Sequence, residues 1–303
     1  MKRGRVLPVS LPPVHRVPAS VLAVAAIFSV QFGNALVGSF FGRIGPLGAA
    51  SLRLGLAALI LLLLVRPKVG GWSRRTWLGV LLLGLGMGGM NVCIYLAIRE
   101  IPLGIAVTIE LMGPLAVAAA AVRRPVDATW ILLAIGGILL LGLGGGDGGS
   151  GGAITLSGML FAAAAAAFWA LYILASSRLA SGSATGSQMR GIDGLVMAMA
   201  VAAVVVVPLG ALDAAAAIGA DPMLLVAFLG VALLTSVVPY ALEFLSLKRM
   251  SARVFGVLSS LGPAVAALAG FVVLQQQLDL RQMLAILLVV AASTGVVTTS
   301  RRR

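Results

Sequence analysis

The sequence predicts an all-α polytopic membrane protein: ten transmembrane helices arranged as a 5+5 inverted repeat. Three observations carry that prediction. Of the 303 residues, 60% are hydrophobic and 10% charged, against about 25% charged in an ordinary soluble domain. Apolar runs near the ~20 residues that cross a bilayer recur along the whole chain. One design also occurs twice, a polar-bearing apolar run interrupted by Gly-Pro. It appears at Gly113-Pro114 and again at Gly262-Pro263, a spacing of 149 residues (262 − 113). At that spacing Tyr95 falls on Phe244, Ile105 on Val254, Arg99 on Lys248 and Glu110 on Ser259. Repeats fix architecture before any local feature does.

Taken in order, the spans read as roughly 18–37, 47–65, 77–97, 103–121, 128–144, 154–176, 190–210, 223–246, 254–273 and 282–299. The basic N-terminus, MKRGRVLPVSLPPVHRVPAS, leads into a run without a small-x-small cleavage site, so the first span is expected to be retained. Breakers mark the joints: Pro46, Pro67 with Gly70-Gly71, Pro102, Pro125 and Pro222. The expected organisation is a cytoplasmic tail 1–17, a first five-helix repeat 18–145, an external Gly-rich linker 146–153, a second repeat 154–299 and a basic cytoplasmic C-terminus 300–303. The linker belongs to GGGDGGSGG at 144–152, a flexible polar stretch.

Charge sets the orientation. With the N-terminus inside, the inner flanks collect 18 Lys and Arg and the outer flanks three (Arg43, Arg99 and Arg281), with Arg53 alone inside a span. This asymmetry is the positive-inside pattern and places both termini in the cytoplasm. The formal charge of +13 is therefore orientation charge rather than a nucleic-acid footprint. An odd number of spans per half makes the second half enter the membrane inverted. Inverted repeats with a mid-membrane site between them mark transporters, although a channel or a structural protein can also be repetitive.

The chemistry-bearing residues cluster at helix breaks. Proline lacks an N–H and frees the carbonyl four residues earlier. Pro114 thereby frees the carbonyl of Glu110, Pro263 that of Ser259 and Pro239 that of Thr235; Glu243 follows Pro239 by four. Polar side chains and bare carbonyls then share a turn and must face protein or a wet cavity, unless the prolines serve only to kink helices for packing. Glu110 lies about seven residues, ~10 Å, and Arg53 about six residues, ~9 Å, from the outer ends of their predicted helices, so the two can share a depth. Either they form a structural buried pair or they face a cavity and hold the two ends of a zwitterion. Glu243, nearer the inner end and five residues before Lys248, fits a structural or a functional role equally. Same-face pairs add polar and aromatic groups: Gln31 with Asn34, Asn91 with Tyr95, Trp169 with Tyr172. Each pair alone fits interhelical glue as well as a ligand contact. Gly113, Pro114, Pro239, Gly262 and Pro263 are the expected helix-break and gating positions. Arg190 and Asp193 read as an intrahelical pair.

Other motif matches lead nowhere. Gly84, Gly86 and Gly89 spell GxGxxG inside a membrane helix, where a packing stripe is expected. Gly144, Gly146 and Asp147 spell GxGD in a glycine linker, with no second buried Asp in a span to partner them. His15 in the tail is the only histidine and Cys93 the only cysteine. No Ser–His pair, metal cluster or disulfide can be built from them, and no enzyme, cofactor or metal is expected. No GxxxxGK[ST] string occurs, which excludes the ATP-driven route.

The stretch GGMNVCIYLAIREIPLGIAVTIELMGPLAVAAAAVRRPVD resembles the threonine/homoserine exporter branch of the drug/metabolite transporter superfamily, the EamA-type proteins. FWALYIL at 168–174, VVPYALEFLSLKRM at 237–250 and SLRLGL at 51–56, where the branch reads ALRLGL, resemble the same branch. The likeness covers about 18–299. It implies ten helices in a 5+5 inverted repeat and efflux of small amino acids such as threonine or homoserine, driven by a proton or another coupling ion. It also implies a monomer or homodimer in the inner membrane of a bacterium, with a broader drug or metabolite effluxer of the same superfamily as the alternative. The characteristic membrane charges of the branch match here as Arg53, Glu110 and Glu243. The expected substrate-facing set is Gln31, Asn34, Arg53, Asn91, Tyr95, Glu110, Trp169, Tyr172, Glu243 and Ser259. The chain departs from the superfamily where Gln275 and Gln276 replace a Gly-Glu pair at the end of the ninth span, and Arg190 and Asp193 are unusual in the seventh.

Overall fold

A computed structural model describes residues 17–120, 125–142, 154–182, 191–247, 249–250, 255 and 258–299. The tail 1–16, the 146–153 linker, Arg190 and the last four residues, on which several expectations fall, lie outside the described residues. Every regular element among those described is helical.

Five helices are long and apolar enough to cross a membrane. They are α1 (Ala19–Ser39), α2 (Phe41–Val65), α3 (Arg74–Glu100), α7 (Leu156–Gly182) and α8 (Gly191–Ala220). At 1.5 Å rise per residue, the 21 residues of α1 span about 31 Å. The other apolar runs are shorter or broken. α4 (Leu103–Glu110) and α5 (Met112–Ala120) follow one another across a break at Leu111, and α6 (Pro125–Gly142) comes next. α9 (Met223–Ala232) continues through a π turn, Leu233–Val237, into α10 (Val238–Leu247). α11 (Gly262–Leu274) and α12 (Leu280–Thr299) complete the bundle.

Proline chemistry explains the breaks. Pro114 cannot donate to the Glu110 carbonyl, and the helix is interrupted one residue after Glu110. Pro239 cannot close onto Thr235, and the ladder slips to the wider π spacing over the turn before it. Pro263 sits in the first turn of α11, where a missing N–H costs nothing. α2 differs from its predicted span because the joint at Pro46 is a kink, not an end. Gly45 takes φ +70° and helical residues resume on both sides, so α2 starts at Phe41. α8 runs to Ala220 through Pro208, ten residues beyond its expected end at 210.

Close packing holds the bundle together. α3 lies along α7 and α8, α2 along α8, α1 against α10 and α11, α4 against α11, and α6 against α12. Small residues permit the approach, as expected in a membrane. A Cβ on Gly84 would lie 2.6 Å from the Ala198 carbonyl oxygen, and one on Gly89 2.6 Å from the Phe168 ring, so the GxGxxG string is a packing stripe. Ser51 of α2 donates to the carbonyls of Val206 and Val207 of α8, at 3.1 Å each.

One face of the bundle carries a set of polar ties. Arg43 pairs with Asp221 at 3.3 Å. Glu100 accepts from the hydroxyls of Thr155, at 2.9 Å, and Ser157. The Leu103 N–H donates to Gln276 Oε1 at 3.0 Å. Each tie joins the chain before the linker to the chain after it. At the opposite face Arg249 donates to the Val17 carbonyl at 3.4 Å.

Candidate functional site

Arg53 is the centre of the buried polar cluster. It sits 12 residues into α2 (53 − 41), deeper than the predicted span allowed, because α2 begins at Phe41. Only 7% exposed, its guanidinium is held from both halves of the chain. Nη1 donates to Asn91 Oδ1 at 2.5 Å and to the Tyr95 hydroxyl at 2.8 Å. Nε donates to Thr235 Oγ1 at 2.8 Å and Nη2 to the Thr235 carbonyl at 3.5 Å. The Tyr95 ring lies 5.4 Å from the guanidinium carbon, a cation–π contact. Asn91 is itself fixed by donating to the Met87 carbonyl at 2.8 Å, and the Thr235 hydroxyl donates to Val231 at 2.8 Å. The carbonyl that Pro239 frees is thus an acceptor for Arg53, and the π turn aims it. Four hydrogen bonds, all to neutral acceptors, occupy most of the guanidinium's N–H donors.

Glu110 is the complementary case. It ends α4 at the break and is 8% exposed. Its carboxylate makes no hydrogen bond and no ion pair among the described residues, and none joins it to Arg53. The Arg53 charge is within electrostatic reach, as is the half-buried Cys93 thiol on α3. An unpaired buried carboxylate is costly in a membrane and needs a cation or a proton. Its repeat-mate Ser259 donates its hydroxyl to the Phe255 carbonyl at 2.9 Å and is locally satisfied.

The expected same-face pairs separate into three kinds. Asn91 and Tyr95 meet on Arg53. Gln31 and Asn34, 9% and 8% exposed, are buried on α1, and among the described residues their side-chain oxygens have no hydrogen-bond partner. Trp169 and Tyr172 are partly buried on α7, with Tyr172 in electrostatic reach of Glu243 on α10. Glu243 is partly buried, and its carboxylate makes no hydrogen bond among the described residues. The gating positions divide as well. A Cβ on Gly113 would sit 2.1 Å from the Ala166 carbonyl oxygen, whereas one on Gly262 would meet, among the described residues, only Gln31 Nε2, at 3.8 Å. Beside Gly113 runs an apolar groove of about 380 Å³ between α5 and α7, lined by Met112, Ala116 and Ala163 among others. It suits hydrocarbon and offers a zwitterion nothing.

Three participants escaped the sequence reading. The Thr235 hydroxyl holds Arg53, where only its carbonyl was anticipated. Ser236 is fully buried, its hydroxyl without a partner among the described residues. Gln276, read as a departure from the superfamily, caps the start of α4. The Thr-Ser pair in the apolar run LLTSVVP was the visible signal for the first two.

Buried charge at broken spans of a helical bundle is the kind of feature that lines substrate or ion pathways in membrane transporters. The model of the EamA-like transporter family matches residues 156–298. Over 298 residues the chain is 38% identical to the threonine/homoserine exporter RhtA of Salmonella typhimurium (strain SL1344), covering 98% of this chain and 95% of that one. To the threonine/homoserine exporter RhtA of Escherichia coli (strain K12) it is 38% identical over 282 residues, covering 93% and 92%. A protein of known crystal structure shares the fold with a TM-score of 0.56 at 23% identity, over 94% of this chain and 98% of that one. The chain belongs to the EamA-like transporter family, whose members are transporters rather than enzymes.

Proposed function

We propose that this chain exports small amino acids of the threonine and homoserine type from the cytoplasm across the inner membrane of a bacterium. Entry of a proton drives export, by alternating access between two inverted five-helix halves. The observation that carries this reading is the Glu110 carboxylate, buried at a helix break without a partner among the described residues and within reach of Arg53, most of whose N–H donors are already engaged. Such a carboxylate can exchange the ammonium of an amino acid for a proton, which is the elementary requirement of coupled export. The names of the relatives support the substrate class.

Helix pairing supports the architecture. The first helix of one half packs on the third of the other in both directions, α1 on α10 and α7 on α3. The second helices pair as α2 with α8, and the fifth as α6 with α12. In this reading the polar ties around Glu100, Arg43 and Gln276 close the external face and must release for substrate to leave. Arg53, Asn91, Tyr95 and Thr235 join the halves at mid-membrane, Trp169 and Tyr172 shape the passage, and Glu243 serves the inner side. Both termini are cytoplasmic.

Counterflow in proteoliposomes tests the substrate class. Labelled L-threonine should exchange against internal threonine or homoserine. Exchange of unrelated amines with no amino-acid exchange would favour the broader effluxer instead.

A further inference from the structure

We propose that the side-chain amides of Gln31 and Asn34 on α1 read the side-chain hydroxyl of the exported amino acid, and so select hydroxylated substrates over plain aliphatic ones. The proposal rests on the amino-acid export reading above and adds the groups that distinguish threonine and homoserine from their apolar analogues. Gln31 and Asn34 lie one turn apart on a single helix face and are more than nine-tenths buried. Their oxygens, Oε1 and Oδ1, are enclosed and meet no donor among the described residues. The Ser236 hydroxyl, also without a partner among them, lies on the π turn against which α1 packs. Ser29 of α1 ties that contact by donating to the Leu234 carbonyl at 2.6 Å. Buried acceptors are almost always paired, because an unpaired one is costly, so these oxygens are matched to a donor that the substrate brings. A carboxylate brings no donor. A hydroxyl brings one and can also accept from the NH2 of the same amide. An ammonium donates too, but its charge is met by Glu110, buried without a partner among the described residues.

The amides and the acid stand at one level of the bundle. Gln31 Nε2 lies 3.8 Å from where a Cβ of Gly262 would be, at the first residue of α11. α11 lies against both α1 and α4. It runs antiparallel to α4: a Cβ on Gly104 would lie 2.8 Å from Ala267, and one on Gly270 3.5 Å from Leu103 Cβ. At 1.5 Å per residue, Glu110 is about 9 Å along α4 from Gly104, and Gly262 about 7.5 Å along α11 from Ala267 in the same direction. Glu110 is therefore level with the start of α11, where the Gln31 amide stands. A substrate lying across that start can turn its ammonium to Glu110 and its side chain to α1. Gln31 and Asn34 differ in reach by one methylene, as the hydroxyls of homoserine and threonine do, so the pair offers an acceptor to either.

Counterflow in proteoliposomes of the purified full-length protein tests this, with labelled L-threonine and labelled L-α-aminobutyrate as probes. L-α-Aminobutyrate keeps the ammonium and the carboxylate of threonine and lacks its hydroxyl. Wild type should need at least about tenfold more of it than of L-threonine for half-maximal exchange, the scale of a buried acceptor left unpaired. Gln31→Met and Asn34→Leu keep the shape and remove the acceptor, and an apolar side chain suits a membrane helix. At least one of the two should bring the ratio below about threefold, by weakening L-threonine and not L-α-aminobutyrate. A wild type that exchanges L-α-aminobutyrate as readily as L-threonine overturns the proposal, and so does an unchanged ratio in both variants. Equal weakening of both probes, or failure of both variants to fold, overturns it as well, since the pair would then hold the ammonium or serve packing. A wild type that exchanges neither amino acid instead sinks the amino-acid reading itself.

Discussion

The two Gly-Pro breaks share a motif and differ in nearly everything around it. At the first, Gly113 presses on the Ala166 backbone so closely that a single added carbon would overlap the carbonyl oxygen at 2.1 Å. At the second, the same carbon on Gly262 would meet, among the described residues, only the Gln31 amide, at ordinary contact distance, 3.8 Å. The first break carries an acid, Glu110, without a partner among the described residues. The second carries Ser259, which is satisfied by its own helix. The same motif therefore sits in two different settings: one copy packs against the α7 backbone beside a buried acid, and the other begins α11. The shared Gly-Pro removes one backbone N–H donor at each break. What the freed groups do depends on the opposing helix.

The largest expected effect is on charge. Glu110→Gln should abolish proton-driven accumulation against a gradient and remove the pH dependence of export, with the protein still folded; Ser259→Ala should leave export within about twofold, the modest change usual for one locally satisfied hydroxyl. Transport in proteoliposomes under an imposed pH gradient measures both. Accumulation by Glu110→Gln with an unchanged pH profile would remove the distinction between the breaks.

Packing comes next. Gly113→Ala should destabilise by about 1–3 kcal/mol, the usual cost of overpacking, since backbone cannot yield as a side chain can. Gly262→Ala should fold as wild type. Melting temperatures of the two purified variants decide this, and equal values would mean the first break is not sealed. Both glycines are expected helix-break positions, and among the described residues only Gly113 meets a neighbour's backbone.

The smallest effect concerns α7, the wall of the first break. Trp169 lies one turn beyond Ala166. Trp169→Ala should change the ranking of transported amino acids by about 1–3 kcal/mol per methylene-sized difference, at near-normal protein level. A competition panel in counterflow reads the ranking, and an unchanged ranking would place Trp169 outside the passage.

The sequence by itself determined the class of this protein and much of its architecture. Hydrophobic run length, proline position and the 149-residue repeat are local properties, and local backbone chemistry obeys them wherever the helix packs. The breaks at Leu111, before Pro239 and at Gly262 were therefore legible, as was the freed Thr235 carbonyl. Tertiary structure alone decided the partners. By their predicted span ends Arg53 and Glu110 can share a depth, but the kink at Gly45 lengthens α2 toward Phe41, and the guanidinium meets Thr235, 182 residues away. Nor could the sequence tell which of the two equal glycines faces a neighbour's backbone and which an idle amide. That depends on interhelical distance, which is set by side chains on other helices and not by the motif itself.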